Sequence, residues 1–130
     1  MLAFSDPDSY ATAFGSARIA FTITGAGDFA ANMTRLKLSD LEVCRFYERL
    51  PRIAYISLST ERVLLSFPIG AASPVFGGST LRNGDMIFHS GGERVHQRSN
   101  GECQWGSISL SPEQFVSSGT ALTGRPITLP

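Results

Sequence analysis

From Arg18 to Ser109 the chain is a succession of short apolar runs broken by turn residues, and that rhythm predicts strands. The runs are IAFTIT, MTRLKL, LEVCRFYE, IAYISLS, RVLLSFPI and STL, rich in β-branched and aromatic residues. Gly25–Asp28, Ser39-Asp40, Leu50–Arg52, Thr60-Glu61, Ala71–Pro74 and Gly77-Gly78 separate them as turns. The next stretch, LRNGDMIFHSGGERVHQRSNGECQWGSISL, holds Asn83-Gly84 and Asn100-Gly101. Asn-Gly is the strongest short-range hairpin signal, because a type I′ turn needs φ > 0 at both central residues. The expectation is three consecutive antiparallel strands, Asp85–His89, Arg94–Arg98 and Cys103–Ser109. Strands at this spacing point to an all-β barrel or sandwich.

Helical signals sit only at the two ends. Asp6 would cap a two-turn helix with Pro7 at its first position and Gly15 after it. Ser111-Pro112-Glu113-Gln114 reads as a second helix start, with Ser111 as cap and Gln114 reaching back. Phe115 and Leu122 fall on one face of that helix, and Gly124 with Pro126 would stop it. GRPITLP then reads as an extended linker.

Composition narrows the class. The length of 130 residues is that of one domain, large enough to form a core without disulfides. Eleven basic and eleven acidic residues cancel, so the chain as a whole lacks the basic excess of a nucleic-acid or membrane-surface binder. Cys44 and Cys103 have no metal or redox spacing and read as reduced, buried thiols of a cytoplasmic protein. No apolar run is long enough to span a membrane, and the start MLAFSDPDSY lacks the charge and apolar pattern of a signal peptide.

The candidate chemistry is sparse. His89 and His96 lie near Asp85, Glu93 and Glu102, but there is no HxH, HxxH or HxxxH pair. His96 would share a strand face with Arg94 and Arg98, which disfavours a cation there. The expectation is no metal and no cofactor. No GxSxG elbow is present, and Gly25-Ala26-Gly27 lacks the context of a phosphate loop. Cys103, Trp105, Ser107 and Ser109 would share one face of the last strand; Trp105 is then either core or the wall of a pocket. Arg45, Arg94, His96 and Arg98 are candidates to anchor a polar or anionic ligand, against the alternative of a solvated strand face.

The segment GDMIFHSGGERVHQRSNGECQWGSISL, followed by SPEQFVSSGTALTGRPITLP, resembles the N-terminal regulatory domain of AraC-type transcriptional regulators. The opening FSDPDSYATAF and the internal LPRIAYISL are similar to the same group. The resemblance implies a mainly β fold: a cupin-like antiparallel β-barrel of jelly-roll type, with a short N-terminal helix and a C-terminal helix. It implies a sensing and dimerisation domain over residues 1–124, with 125–130 beginning a linker to helix-turn-helix units not in this chain. DNA would be bound only through those units. The chain would not be an enzyme, would take an unknown small-molecule effector near Trp105 and His96, and would form a homodimer through Phe115, Val116 and Leu122. Gly84, Gly92, His96 and Asn100 echo the second cupin motif, with Ser90 where proline is expected. The first motif has no counterpart, since Asn32–Ser59 contains no histidine. Two other classes stay open: a small metal-free cupin enzyme, isomerase-like, with acid–base chemistry at His96, and a purely structural dimerisation module with a filled barrel.

Overall fold

In the run Arg52–Leu58, residues 52, 54, 56 and 58 are buried while 55 and 57 are exposed, as the pleat of a strand with one covered face requires. The same logic repeats along the chain. A computed structural model describes residues 1–15 and 17–123, the side chains of 118–123 lying outside the description. It contains β1 (Leu2–Phe4), α1 (Pro7–Thr12), β2 (Ala17–Ile23), β3 (Ala31–Leu38), β4 (Leu41–Glu48) and β5 (Arg52–Leu58). These are followed by β6 (Val63–Pro68), β7 (Val75–Phe76), β8 (Ile87–His89), β9 (Arg94–Ser99), β10 (Cys103–Leu110) and α2 (Pro112–Thr123).

The fold is mainly β, with the two expected helices. Asp6 caps α1, its carboxylate accepting from the backbone N–H of Ser9 at 3.0 Å. Ser111 caps α2 by accepting from the N–H of Gln114 at 3.1 Å. The expected stop at Gly124 and Pro126, the linker 125–130 and the side chain of Leu122 all lie outside the described residues.

Two sheets form, in the orders β1-β3-β4-β10-β6-β8 and β2-β5-β9-β7, with every pairing antiparallel. They face each other as a sandwich; among the described residues no ladder joins them into a closed barrel. From β4 to β10 each successive strand joins the opposite sheet, the winding of a jelly roll.

That winding corrects the expected meander. β8 pairs with β6, β9 with β5 and β7, and β10 with β4 and β6, so none of the three pairs with another. The local reason is at the turns. Gly84 has φ 95°, but Asn83, Asn100 and Gly101 have no positive φ, so neither Asn-Gly pair makes the type I′ turn. The link from β8 to β9 instead crosses between sheets over the β5–β6 connection. A Cβ on Gly91 would meet the carbonyl oxygen of Thr60 at 2.6 Å, and Gly92 donates its N–H to Leu58 at 3.1 Å. Three smaller expectations also change. Ser79–Leu81 forms no strand beyond a Phe76–Ser79 bridge, Leu2–Phe4 adds an edge strand, and Arg52 opens β5 rather than ending a turn.

The inward side chains of the larger sheet stack in cross-strand rows. Glu48 stands opposite Cys103; Met33, Phe46, Trp105 and Pro68 form the next row. Arg35, Cys44, Ser107 and Ser66 follow, and then Glu42, Ser109 and Leu64. Aromatic rings fill the middle: Phe46 and Trp105 stack at 4.2 Å, with Phe14 on Phe46 at 4.9 Å and Tyr10 on Phe21 at 5.2 Å. Burying each such ring contributes roughly 2–3 kcal/mol.

Candidate functional site

The aromatic layer divides the interior into two polar ends. One end is closed. Its centre is Glu48, carried inward by β4 and only 1% exposed, facing the equally buried Arg52 at the start of β5. Arg52 Nε donates to Glu48 Oε1 at 2.5 Å, and Arg52 Nη2 donates to Gln97 Oε1 at 2.9 Å. Tyr10 Oη and Trp105 Nε1 both donate to Glu48 Oε2, at 2.6 and 2.9 Å, while Cys103 Sγ lies 3.6 Å from Oε1. Ser99 Oγ accepts from the backbone N–H of Arg52, and the guanidinium sits 5.9 Å over the Phe21 ring. Three elements, α1, β5 and β10, thus converge on the one carboxylate that β4 carries.

Electrostatics follow from that enclosure. Burial, with Glu48 adding to it, holds the Tyr10 hydroxyl well above its ordinary range and pushes the Cys103 thiol up to about 12. Burial works against the charge of Arg52, but the adjacent Glu48 outweighs it and the group is raised. A thiol so shielded is a poor nucleophile, and the assembly holds charge in place rather than offering it to a substrate. Arg52 Nη1 has no hydrogen-bond partner among the described residues.

The other end is a cleft between the sheets. Phe14, Phe46 and Trp105 form its floor, Ile19, Ile56 and Leu64 its walls, and Arg35, Glu42, Cys44, Ser107 and Ser109 its polar lining. Its interior is narrow, with free space of about 20 Å³, enough for one water. At the mouth it continues into an open depression shared through Gly15, Glu42 and Ser109 and bordered by Lys37, Asp40 and Arg62.

The mouth is held by weaker, more exposed contacts. Arg35 Nε lies 3.7 Å from Glu42 Oε1, with the two side chains 33% and 19% exposed. Arg35 Nη2 also donates to the carbonyl of Ala13, tying the mouth to the end of α1. Arg62 donates to Asp40 Oδ1 at 2.7 Å and to Ser109 Oγ at 3.1 Å, and the N–H of Ser111 donates to Asp40 Oδ2 at 2.8 Å. Those bonds from Ser111, with Arg62, hold the Asp40 carboxyl down at about 2. Burial, helped by Glu42, pushes the Cys44 thiol up to about 11. The hydroxyl of Ser66, fully buried beside Ser107, has no partner among the described residues.

The site residues expected from sequence separate sharply. Trp105 is 2% exposed and belongs to both ends, its ring flooring the cleft and its N–H bound to Glu48. His96, Arg94 and Arg98 do share one face, as expected, but it is the outer face of β9, away from Trp105. Strand β9 lies in the other sheet, and its inward positions are Val95, Gln97 and Ser99, so His96 cannot converge with Trp105. Acid–base chemistry by His96 inside the sandwich is therefore not available. Arg45 also points outward, donating to Gln104 Oε1 at 3.2 Å. His89, not His96, is the buried histidine, its Nδ1 3.4 Å from Glu93 Oε2 at a strand end. Burial lowers its pKa despite the opposing pull of Glu93. Among the described residues no group of three potential ligands could hold a metal ion.

Glu48, Arg52, Gln97 and Tyr10 escaped the reading of the sequence, as did the cleft residues Arg35, Glu42 and Cys44. A signal existed. In LEVCRFYE the positions in phase with the core are Glu42, Cys44, Phe46 and Glu48, and in RIAYISL they begin with Arg52. A charge in the apolar phase of a strand marks a buried partner.

No family model and no curated protein matches this chain. Among solved structures it is similar to the Clostridium difficile EutQ protein, with a TM-score of 0.45 and 9% identity, over 64% of this chain and 69% of that chain. A putative ethanolamine utilization protein Q from Salmonella typhimurium LT2 gives a TM-score of 0.44 and 11% identity, over 75% of this chain and 98% of that chain. Among the described residues no helix is long and apolar enough to cross a membrane.

Proposed function

We propose that the chain is the effector-sensing domain of an AraC-type transcriptional regulator, with a cupin-like sandwich as its frame. The sequence resemblance, from FSDPDSYATAF through SPEQFVSSGTALTG, motivates the family. The observation that carries the sensing role is the cleft: an aromatic floor, a lining of serines and a thiol, and a mouth crossed by the loose Arg35–Glu42 ion pair beside the tighter Arg62–Asp40 pair. Small-molecule sites combine apolar walls with a few placed polar groups in this way. A ligand larger than one water enters by parting Arg35 from Glu42 and shifting Phe14, which couples occupancy to α1 and β2.

The dimer belongs to the same reading. Leu36, Val43, Ile108, Leu65 and Phe88 lie in register across the outer face of the larger sheet, and Phe115 of α2 packs on Phe88 at 5.1 Å. A second copy covering this row with Phe115 and Val116 would bury roughly 800 Å² per partner.

Trp105 is the single tryptophan, so its emission reports on the cleft. A metabolite screen should give a ligand that changes the emission saturably and raises the melting temperature. Ser107→Leu, which fills the cleft, should abolish both responses in a folded protein. No response across a broad screen would overturn the sensing role. The regulator assignment is tested separately by reading the frame beyond Pro130: helix-turn-helix units support it, and a stop codon there overturns it.

A further inference from the structure

The neutral charge of the chain conceals one strongly asymmetric surface. The strands β2, β5, β9 and β7 contain no aspartate or glutamate, yet they carry Arg18, Arg52, Arg94, His96 and Arg98. Arg52 is buried inside; the other four face outward. Register arranges them as a grid. Arg18 stands opposite Ser57, and Ser57 opposite Arg94. Tyr55 stands opposite His96, and Arg98 lies in the next row. Along β9 the three charged or imidazole side chains recur at about 7 Å, two residues of strand rise.

Two features separate this face from an ordinary solvated one. The side chains of Arg18, Arg94, His96 and Arg98 make no hydrogen bond or ion pair with any described residue, as holds also for the scattered Lys37, Arg49 and Arg82, while Arg35, Arg45, Arg52 and Arg62 all have side-chain partners. The nearest carboxylate in sequence, Glu93, is turned away, bonded to the N–H of Ser90 and lying near His89. The second feature is Tyr55, which is 56% exposed at the centre of the grid, beside an open groove that it lines with Ser57, Arg94 and His96.

We propose that this outer face is a platform for single-stranded nucleic acid, with phosphates on Arg18, Arg94 and Arg98 and a base stacked on Tyr55 against His96. An open sheet that presents an aromatic ring among cations suits unpaired bases, which stack on tyrosine, histidine and guanidinium planes. An acidic protein would satisfy the arginines but would leave the exposed ring unused. The platform lies on the outer side of the smaller sheet and does not depend on the interior cleft.

The test is fluorescence anisotropy of a labelled oligothymidylate, with purified chain at about 50 to about 200 mM salt. Three phosphate contacts predict a slope of log affinity against log salt near −2, or roughly 15-fold weaker binding over that range. Replacing Arg94 and Arg98 together by glutamine should cut the slope to about −0.7. Tyr55→Ala should weaken binding at least about 5-fold and leave the slope unchanged. The substitutions are on exposed positions, and far-UV circular dichroism confirms the fold. No binding at the low salt overturns the proposal. So does equal affinity for a duplex, heparin or polyglutamate with no effect of Tyr55→Ala, which would mark a surface for polyanions or acidic proteins instead.

Discussion

Strand β4 points two carboxylates into the same sandwich, six residues apart, and they live in opposite conditions. Glu48 is sealed, with its arginine at 2.5 Å and both side chains at most 2% exposed. Glu42 meets its arginine at 3.7 Å at a mouth open to solvent. The first pair has given up hydration and recovers it from Tyr10, Trp105, Cys103 and Gln97. The second has kept much of its water and can part at small cost. Identical chemistry on one strand thus yields a fixed clamp and a movable gate, and the surrounding donors decide which.

The sharpest way to break the comparison is to neutralise each carboxylate. Glu48→Gln leaves the Arg52 charge buried without its counter-ion and should cost about 3–5 kcal/mol in urea unfolding, a large part of the stability of a domain this size. Replacing both partners, Glu48→Leu with Arg52→Met, should recover most of that loss, because an apolar pair needs no compensating charge. If the single change is as mild as Glu42→Gln, the clamp assignment fails. Tyr10→Phe keeps the ring among Phe4, Phe14, Phe21 and Phe29 but removes one donor from Glu48, and should cost about 1.5–3 kcal/mol.

Acidity separates buried from exposed groups as well. His89 is lowered from 6.5 by burial, so the folded state favours the neutral ring. Its contribution is complete above about pH 6.5 and declines as pH falls through the lowered value, where the unfolded chain binds the extra proton. Asp40 adds a second loss as pH falls from 3.8 towards about 2. The melting temperature should therefore drop between pH 7 and 5, and His89→Gln should flatten that part of the curve. The smallest effect is Glu42→Gln, under about 1 kcal/mol; its value is that it should change effector affinity in the Trp105 assay while leaving stability nearly untouched.

How far these features could be read in advance depended on the range of the interactions. The strands β2 to β6, both helix caps and the inward face of β10 follow from period-2 alternation and cap chemistry, which act within a few residues. The pairing of β8, β9 and β10 did not follow from Asn83-Gly84 and Asn100-Gly101. The inward Gln97 and Ser99 of β9 bond to Arg52 of β5, and that long-range match outweighs a local turn preference. Placement failed for the same reason. Alternation put Arg94, His96 and Arg98 on a common face, but only the partner strands determine that the face is outside. Glu48 read as the end of a strand and Arg52 as part of the turn Leu50–Arg52, because their common destination depends on both sheets being present.

The winding has a consequence for how the protein is made. Among the strand pairs of the described residues only β3 with β4 joins neighbours in sequence, and β10, which follows both in the chain, lies between β4 and β6. Until Cys103–Leu110 has been synthesised, β4 and β6 each present a bare, adhesive edge, and Glu48 lacks the indole of Trp105. A topology so poor in local pairings folds on the slow side, in milliseconds to seconds. Until that strand emerges the nascent chain is a sheet missing an inner slat, and a fragment that stops before residue 103 is primed to aggregate.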